Sequence, residues 1–204
     1  MTFVIGLTGG IGCGKSLTSE LFSDLGIDIV DTDVIARKLT QPGEPAISII
    51  RNTFGNVFVT KDGALDRNKM RNLIFSDDTA RLKLEKILHP LILKEVTSQI
   101  KKARSPYIIV VIPLLLETCD YNDIIHKILV VDCDEQVQLS RTMARTHLPE
   151  DEVRAIIATQ ASREIRLQKA DDIIVNNYDI NHLRKQIINL HCRYLLLAKN
   201  ESKS

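Results

Sequence analysis

A chain of 204 residues, 44% hydrophobic and 26% charged, is long enough to close one sizeable core. Its formal net charge of +1 provides no basic field, so neither nucleic acid nor an anionic membrane is expected as the main partner. No basic segment precedes a long apolar stretch at the N-terminus, so no signal peptide is expected. The longest apolar stretch, Ile108 to Leu116, is interrupted by Pro113 and is too short to span a bilayer. Cys13, Cys119, Cys133 and Cys192 are scattered and form no C-x-x-C pair, which argues against a zinc site or a disulfide framework and for a reducing cytoplasm.

The apolar run Thr2 to Thr8 reads as a strand and leads into Gly9-Gly10-Ile11-Gly12-Cys13-Gly14-Lys15-Ser16, which fits G-x-x-x-x-G-K-[ST] at every fixed position. Glycines let the backbone curl so that successive N–H groups point at phosphate oxygens. Lys15 adds a charge at the β- and γ-phosphates, and the Ser16 hydroxyl is placed to ligate Mg²⁺. The helix that follows, with Leu17, Leu21, Phe22 and Leu25 at helical spacing and Gly26 closing it, offers its N-terminal end to the same anion. Phosphate contacts are therefore assigned to Gly10, Ile11, Gly12, Cys13, Gly14, Lys15, Ser16 and Leu17. Cys13 has two readings: a thiol with a lowered pKa, or a small residue of which only the N–H matters.

Ile27 to Asp31 is a short strand, and Asp31 and Asp33 fall where strand tips of a parallel sheet face the ligand crevice. A carboxylate there accepts a proton from an attacking hydroxyl or holds Mg²⁺ through water; alternatively, Asp33 caps a helix over Val34 to Leu39. Arg37 lies beside them in sequence. Residues 40 to 106 are too many for a simple crossover. Helices are expected at Ala46 to Phe54, Asp66 to Phe75, Asp77 to Leu88 with Ser76 as cap, and Leu91 to Arg104, with His89-Pro90 breaking the last two apart. Val57 to Gly63 suggests a small hairpin or extended loop.

Tyr107 to Pro113 and Lys127 to Asp132 are β-branched runs of the kind buried on both faces of a parallel sheet. The first has no terminal Asp; in the second, Asp132 or the nearby Asp134 is either a metal contact or a helix cap. Arg141 and Arg145 share one face of the helix from Glu135. A further helix restarts near Pro149, with Val153, Ile156, Ile157, Ala161 and Ile165 as one apolar stripe and Gln160, Arg163 and Arg166 on or beside it. Two arginine-bearing helices after the fourth strand read as a lid that excludes water and neutralises the transferring group. Ala170 to Asn177 is a fifth strand and its tip, where Asn176 is placed to read a base edge. Ile180 to Leu197 is a closing helix, and Lys199 to Ser204 is expected to fray.

These elements make a five-stranded, doubly wound parallel α/β sheet of the P-loop NTPase type, similar to nucleoside monophosphate kinases. It is read as one domain, with core segments 1–39, 106–139 and 168–198, an acceptor-binding insertion at 40–105 and a lid at 140–167. Fold alone does not choose among switches, motors and small-molecule kinases. Asn176-Asn177-Tyr178-Asp179 lacks the lysine of a guanine-reading N-K-x-D, and no basic surface suggests a nucleic-acid motor. A phosphate loop, a nearby carboxylate, an insertion and an arginine lid together indicate transfer of a phosphoryl group to an alcohol of a small molecule.

The motifs Gly6 to Ser16, Asp31-Thr-Asp33 with Arg37, Leu88-His89-Pro90, Pro113-Leu-Leu-Leu-Glu117, Arg141 with Arg145, Gln160, and Ala170 to Asn176 together resemble the dephospho-CoA kinase family, from about residue 3 to 198. The resemblance implies ATP-dependent phosphorylation of 3′-dephospho-CoA to CoA with Mg²⁺, the final step of coenzyme A synthesis, by a cytoplasmic and monomeric enzyme. It further implies that Asp33 is the base toward the ribose 3′-hydroxyl, with Lys15 and Arg141 also catalytic. Arg141 and Arg145 would belong to the lid over ATP, and Asn176 would lie near adenine. Asp33, Arg37, His89, Pro113, Leu114, Leu115 and Glu117 would serve the acceptor. One position departs from the family, which usually has Thr where this chain has Leu17, so a hydroxyl contact to the nucleotide is lost. Another P-loop small-molecule kinase and a non-catalytic nucleotide-binding partner protein are the competing readings.

Overall fold

A computed structural model of the chain describes residues 2–117 and 121–201; Cys119 and the tail beyond Glu201 fall outside them. The β-branched runs form strands β1 (Phe3–Gly9), β2 (Asp28–Asp31), β3 (Tyr107–Val111), β4 (Lys127–Asp132) and β5 (Asp172–Val175). They pair in parallel in the order β2-β3-β1-β4-β5. Ile5 lies in register with Ile109 on one side and Lys127 on the other. β3 stops at Val111 because Pro113 has no N–H to give; Ile112 makes the last bond, to the Leu7 carbonyl at 3.0 Å.

Period-two alternation sends Phe3, Ile5, Leu7, Tyr107, Ile109, Val111, Leu129 and Val131 into one core cluster. The helices that supply its other half are α1 (Lys15–Asp24), through Leu21 and Phe22, and a long C-terminal helix (Ile180–Glu201), through Leu183, Ile187 and Tyr194. Full burial of each such side chain stabilises by about 1.5–3 kcal/mol relative to exposure. The Tyr194 hydroxyl donates to Asp172 at 3.0 Å, so this buried phenol is satisfied. The C-terminal helix runs to Glu201, which corrects the expected fraying of Lys199 onward as far as that residue.

The chain forms two compact units, one of Thr32–Gln99 and the other of the residues up to Asp31 and from Ile100 on. In the first unit, α2 (Thr32–Leu39) begins directly after β2, so Asp33 sits in its first turn and does not cap a helix starting at Val34. Then come α3 (Pro45–Phe54), a 3₁₀ turn at Asn56–Phe58, an antiparallel bridge between Val59 and Leu65, and α4 (Arg67–Ser76), capped by Asp66. Helix α5 (Asp78–Lys102) departs from the sequence reading at two places. Its cap is Asp77, whose carboxylate accepts from the N–H groups of Thr79 and Ala80 at 2.8 and 3.0 Å, whereas Ser76 bonds back to its own helix. His89-Pro90 does not break it: Pro90 lies inside. Proline forfeits one backbone bond, but buried Leu84, Ile92 and Val96 share a face across it and hold one continuous helix.

In the second unit, α6 (Glu135–Thr146), α7 (Glu150–Ala158) and α8 (Arg163–Lys169) follow β4, and the C-terminal helix is numbered α9. The single apolar stripe expected over 153–165 is split, because Ser162 caps α8 by accepting from Ile165 N–H at 3.2 Å, leaving the Ile165 side chain exposed.

Candidate active site

β1 delivers the chain to a loop whose shape is set by what packs on it. A Cβ at Gly10 would sit 2.2 Å from Gln138 Nε2, and one at Gly14 2.3 Å from Asn176 Nδ2. Gly14 also has φ 100° and is the N-cap of α1. No side chain caps that helix and its first turn holds no acid, so its N-terminal end is presented without a competing carboxylate of its own. The Lys15 amine curls back to donate to the Gly9 and Gly10 carbonyls at 2.6 and 3.1 Å. Ser16 is exposed in the first turn of α1, whereas the half-buried Leu17 packs against the core cluster.

The apex of the loop is gripped by two glutamines. Gln138 on α6 donates its Nε2 to the Ile11 carbonyl at 2.9 Å, and Ile11 N–H donates to Gln160 Oε1 at 3.0 Å. The loop's base is held by Asn176, whose Nδ2 donates to the Cys13 carbonyl at 2.7 Å. Arg141 Nη1 donates to the Asn176 carbonyl at 2.9 Å. The Asn176 amide, 5% exposed, is thus spent on the loop backbone, and its burial argues against base reading as its main task. Arg166, also 5% exposed, donates to the Ala161 carbonyl, and its Nη2 lies 3.1 Å from where a Gly10 Cβ would be. Among the described residues, the buried hydroxyls of Thr18 and Thr142 have no hydrogen-bond partner; the Thr142 oxygen lies 2.6 Å from a Gly12 Cβ position, facing the loop.

Helices α7 and α8 are fastened to the same core. Arg163 grips buried Asp132 through Nε at 3.0 and 3.1 Å and Nη2 at 2.6 Å, so that carboxylate serves an ion pair and caps no helix. The N–H of Ala161 donates to Glu117 Oε1 at 2.8 Å, and Arg154 joins Glu135 and Glu150 at 2.7 Å each. Beneath the loop, the Cys133 thiol donates to Cys13 Sγ at 3.3 Å. That bond, more than the charges of Lys15 and Arg166, holds the Cys13 thiol down to about 7 despite its burial. Cys133 is pushed up, first by the same bond and then by burial.

Of the groups expected to serve an acceptor, Glu117 bonds the Ala161 N–H, and the Pro113 carbonyl accepts from Thr8 Oγ1 at 3.2 Å. Leu115 is buried over Gly6, in the role of a packing residue, while Leu114 is half exposed. Arg145 is exposed on α6. In the Thr32–Gln99 unit, Asp33, Arg37 and His89 are exposed, and the Arg37 carbonyl accepts from Arg67 Nη2 at 3.2 Å. Sequence reasoning passed over Gln138, Thr142 and Cys133. Gln138 and Thr142 did carry a signal: polar residues four apart on the helix already marked by Arg141.

With this geometry in view, comparisons with known proteins agree. The family model CoaE, dephospho-CoA kinase, matches residues 3–182. A dephospho-CoA kinase of Nitrosospira multiformis is 52% identical over 196 residues, covering 96% of this chain and 98% of that protein. One of Nitrosomonas europaea is 51% identical, covering 98% of each. Among solved structures, dephospho-CoA kinase from Campylobacter jejuni superposes with a TM-score of 0.70 at 26% identity, covering 98% of this chain and all of that one.

Proposed function

The chain belongs to the dephospho-CoA kinase family, and from that premise we propose that it transfers the γ-phosphoryl group of ATP to the ribose 3′-hydroxyl of dephospho-CoA, releasing ADP and CoA. The observation that carries the reading is the phosphate loop gripped at its apex by Gln138 and Gln160 and at its base by Asn176. Such a loop is organised before any anion arrives, so its N–H groups need not reorganise as charge shifts during transfer.

In the proposed mechanism, the loop from Gly10 to Leu17 cradles the phosphates. Lys15, now on the loop's own carbonyls, turns to the β- and γ-phosphates. Arg141 and Arg145, with Arg166 beside Gly10, offset charge on the transferring group. Asp33 orients the acceptor hydroxyl and takes its proton, contributing roughly 10²–10⁴-fold. Arg37, His89, Pro113, Leu114 and Glu117 serve the acceptor, Leu115 supports that segment by packing over Gly6, and Asn176 fixes the loop near the adenine side. The donor set suits Mg²⁺: Ser16 offers one exposed hydroxyl oxygen next to Lys15, enough for a hard cation bound mainly through nucleotide phosphates and water. Ser16 would hold that ion, which when bound would supply positive charge to offset the charge of the transferring phosphates.

The reading keeps segments 40–105 as the acceptor-binding insertion and 140–167 as the lid. It takes a cytoplasmic monomer as the working unit; four scattered cysteines without a C-x-x-C pair suit a reducing compartment. Incubation with Mg-ATP and either dephospho-CoA or a nucleoside panel, followed by chromatography, tests it. Equimolar ADP and CoA are expected with dephospho-CoA. Product from a nucleoside alone would transfer the protein to another kinase class, and ATP binding without acceptor-dependent ADP would make it non-catalytic.

A further inference from the structure

Cys13 and Cys133 lie 120 residues apart in sequence, yet their sulfurs are 3.3 Å apart and both residues are wholly buried. Cys133 continues the inward alternation of Leu129 and Val131 just beyond the end of β4, and both cysteines belong to the main core cluster. Phosphoryl transfer has no use for either thiol: of Cys13 it needs only the backbone N–H. We propose that Cys13 and Cys133 form a dithiol modification site, at which a hydroperoxide closes a disulfide that draws the phosphate loop out of its nucleotide-binding shape.

The two sulfurs have unequal parts. Cys13 accepts the hydrogen bond and has Lys15 and Arg166 nearby, with the opposing charge of Asp132 and its own burial acting against them, so it is the readier thiolate. Cys133, the donor, is the resolving group. In the first step, Cys13 Sγ attacks one peroxide oxygen. The O–O bond breaks, the second oxygen leaves and takes a proton to become water (or an alcohol), and Cys13 becomes a sulfenic acid. In the second, Cys133 Sγ attacks Cys13 Sγ; its proton joins the departing hydroxyl as water and the S–S bond forms. Two thiols are oxidised by two electrons, and one peroxide is reduced. A hydroperoxide as small as hydrogen peroxide suits a buried pair better than a bulky disulfide does.

The loop is the side that must yield. A disulfide bond is about 2.0 Å long, so the sulfurs have to close by more than an ångström. Cys133 directly follows Asp132, which is paired with Val175 in the sheet and gripped by Arg163. Cys13 stands between Gly12 and Gly14, with φ of 76° and 100°, in a segment that can change backbone conformation. Its carbonyl is held by Asn176 and its N–H donates to the Gly10 carbonyl at 3.2 Å, so displacement strains both bonds and tilts the neighbouring N–H groups.

Full-length protein treated with hydrogen peroxide is expected to lose two hydrogens in mass and to yield, on non-reducing digestion, a peptide pair joined through Cys13 and Cys133. Its affinity for a fluorescent ATP analogue should fall about tenfold or more, a change of about 1.4 kcal/mol, and recover with dithiothreitol. Cys133→Ser and Cys133→Ala should bind the analogue like the untreated protein and, after peroxide, gain oxygen at Cys13 with no linked pair, whereas Cys192→Ser and Cys119→Ser should still form the pair. Absence of the linked peptide pair, or linked protein with unaltered affinity, would each overturn the proposal. Linkage and analogue binding are read without any acceptor, so their outcome is separate from the choice of dephospho-CoA as substrate.

Discussion

The phosphate loop and the candidate residues of the Thr32–Gln99 unit are built on opposite principles. Ile11 and Cys13 are fixed by buried or half-buried side chains drawn from three distant stretches: Gln138, Gln160 and Asn176. Asp33, Arg37 and His89 instead stand exposed on the surfaces of α2 and α5. The difference teaches where each half of the reaction obtains its accuracy. A group that must hold a triphosphate through charge redistribution gains from donors fixed in advance. In the proposed mechanism the exposed Asp33, Arg37 and His89 are the groups that meet the acceptor. Mutations in the first class should therefore act through loop geometry and ATP affinity, and those in the second through turnover.

The sharpest way to break that contrast is Asp33→Asn, expected to lower kcat by roughly 10²-fold or more while leaving ATP affinity within about twofold. Full turnover in this variant would remove Asp33 from the chemistry. Next in size, Asn176→Ala strips the Cys13 carbonyl of its buried donor. A cost of about 1–3 kcal/mol is expected, read as a rise of roughly tenfold or more in KM for ATP with a lower melting temperature. Gln160→Ala removes one of two hydrogen bonds at the half-exposed apex and should raise KM for ATP by only about two- to tenfold, with melting almost unmoved.

Asp28 supplies the smallest effect and a control within the same unit as the loop. The N–H groups of Ser105 and then Arg104 hold its carboxyl below the usual carboxylate range. With the folded pKa depressed, the stabilisation is present above the ordinary value of about 4 and is lost as pH falls through the lowered one. The gap in melting temperature between the native protein and Asp28→Asn should therefore close as pH falls below the ordinary value of about 4 and through the lowered one, with ATP affinity at neutral pH the same in both. Changed affinity in this variant would show that any loosening of the unit reaches the loop, and the contrast would lose its meaning.

What was legible in the sequence follows the range of the forces involved. The strands could be read because burial on both faces demands unbroken β-branched runs, as in Tyr107–Val111, and the phosphate loop because its spacing is local chemistry. Errors came where tertiary packing overrode a local signal. Pro90 stayed inside a helix because Leu84, Ile92 and Val96 bury along one face, and the lid stripe was cut at Ser162 by a single cap. The glutamine grip and the thiol contact were out of reach for a different reason: they join residues 120 to 149 positions apart, and no local period records such a meeting. Leu17 shows the reverse case. Its departure from the family's threonine was visible at once, but only packing supplies its reason, contact with the core.

The grip also has a consequence for how the protein comes into being. Asn176, which holds the Cys13 carbonyl, is made 163 positions after it. At synthesis rates of about 5–20 residues per second, roughly 8–30 s separate the two. Throughout that interval the emerging chain carries a complete phosphate-binding sequence without the side chains that give it shape. The loop gains its full grip only late, and a chain released before residue 176 would leave the Cys13 carbonyl without that donor.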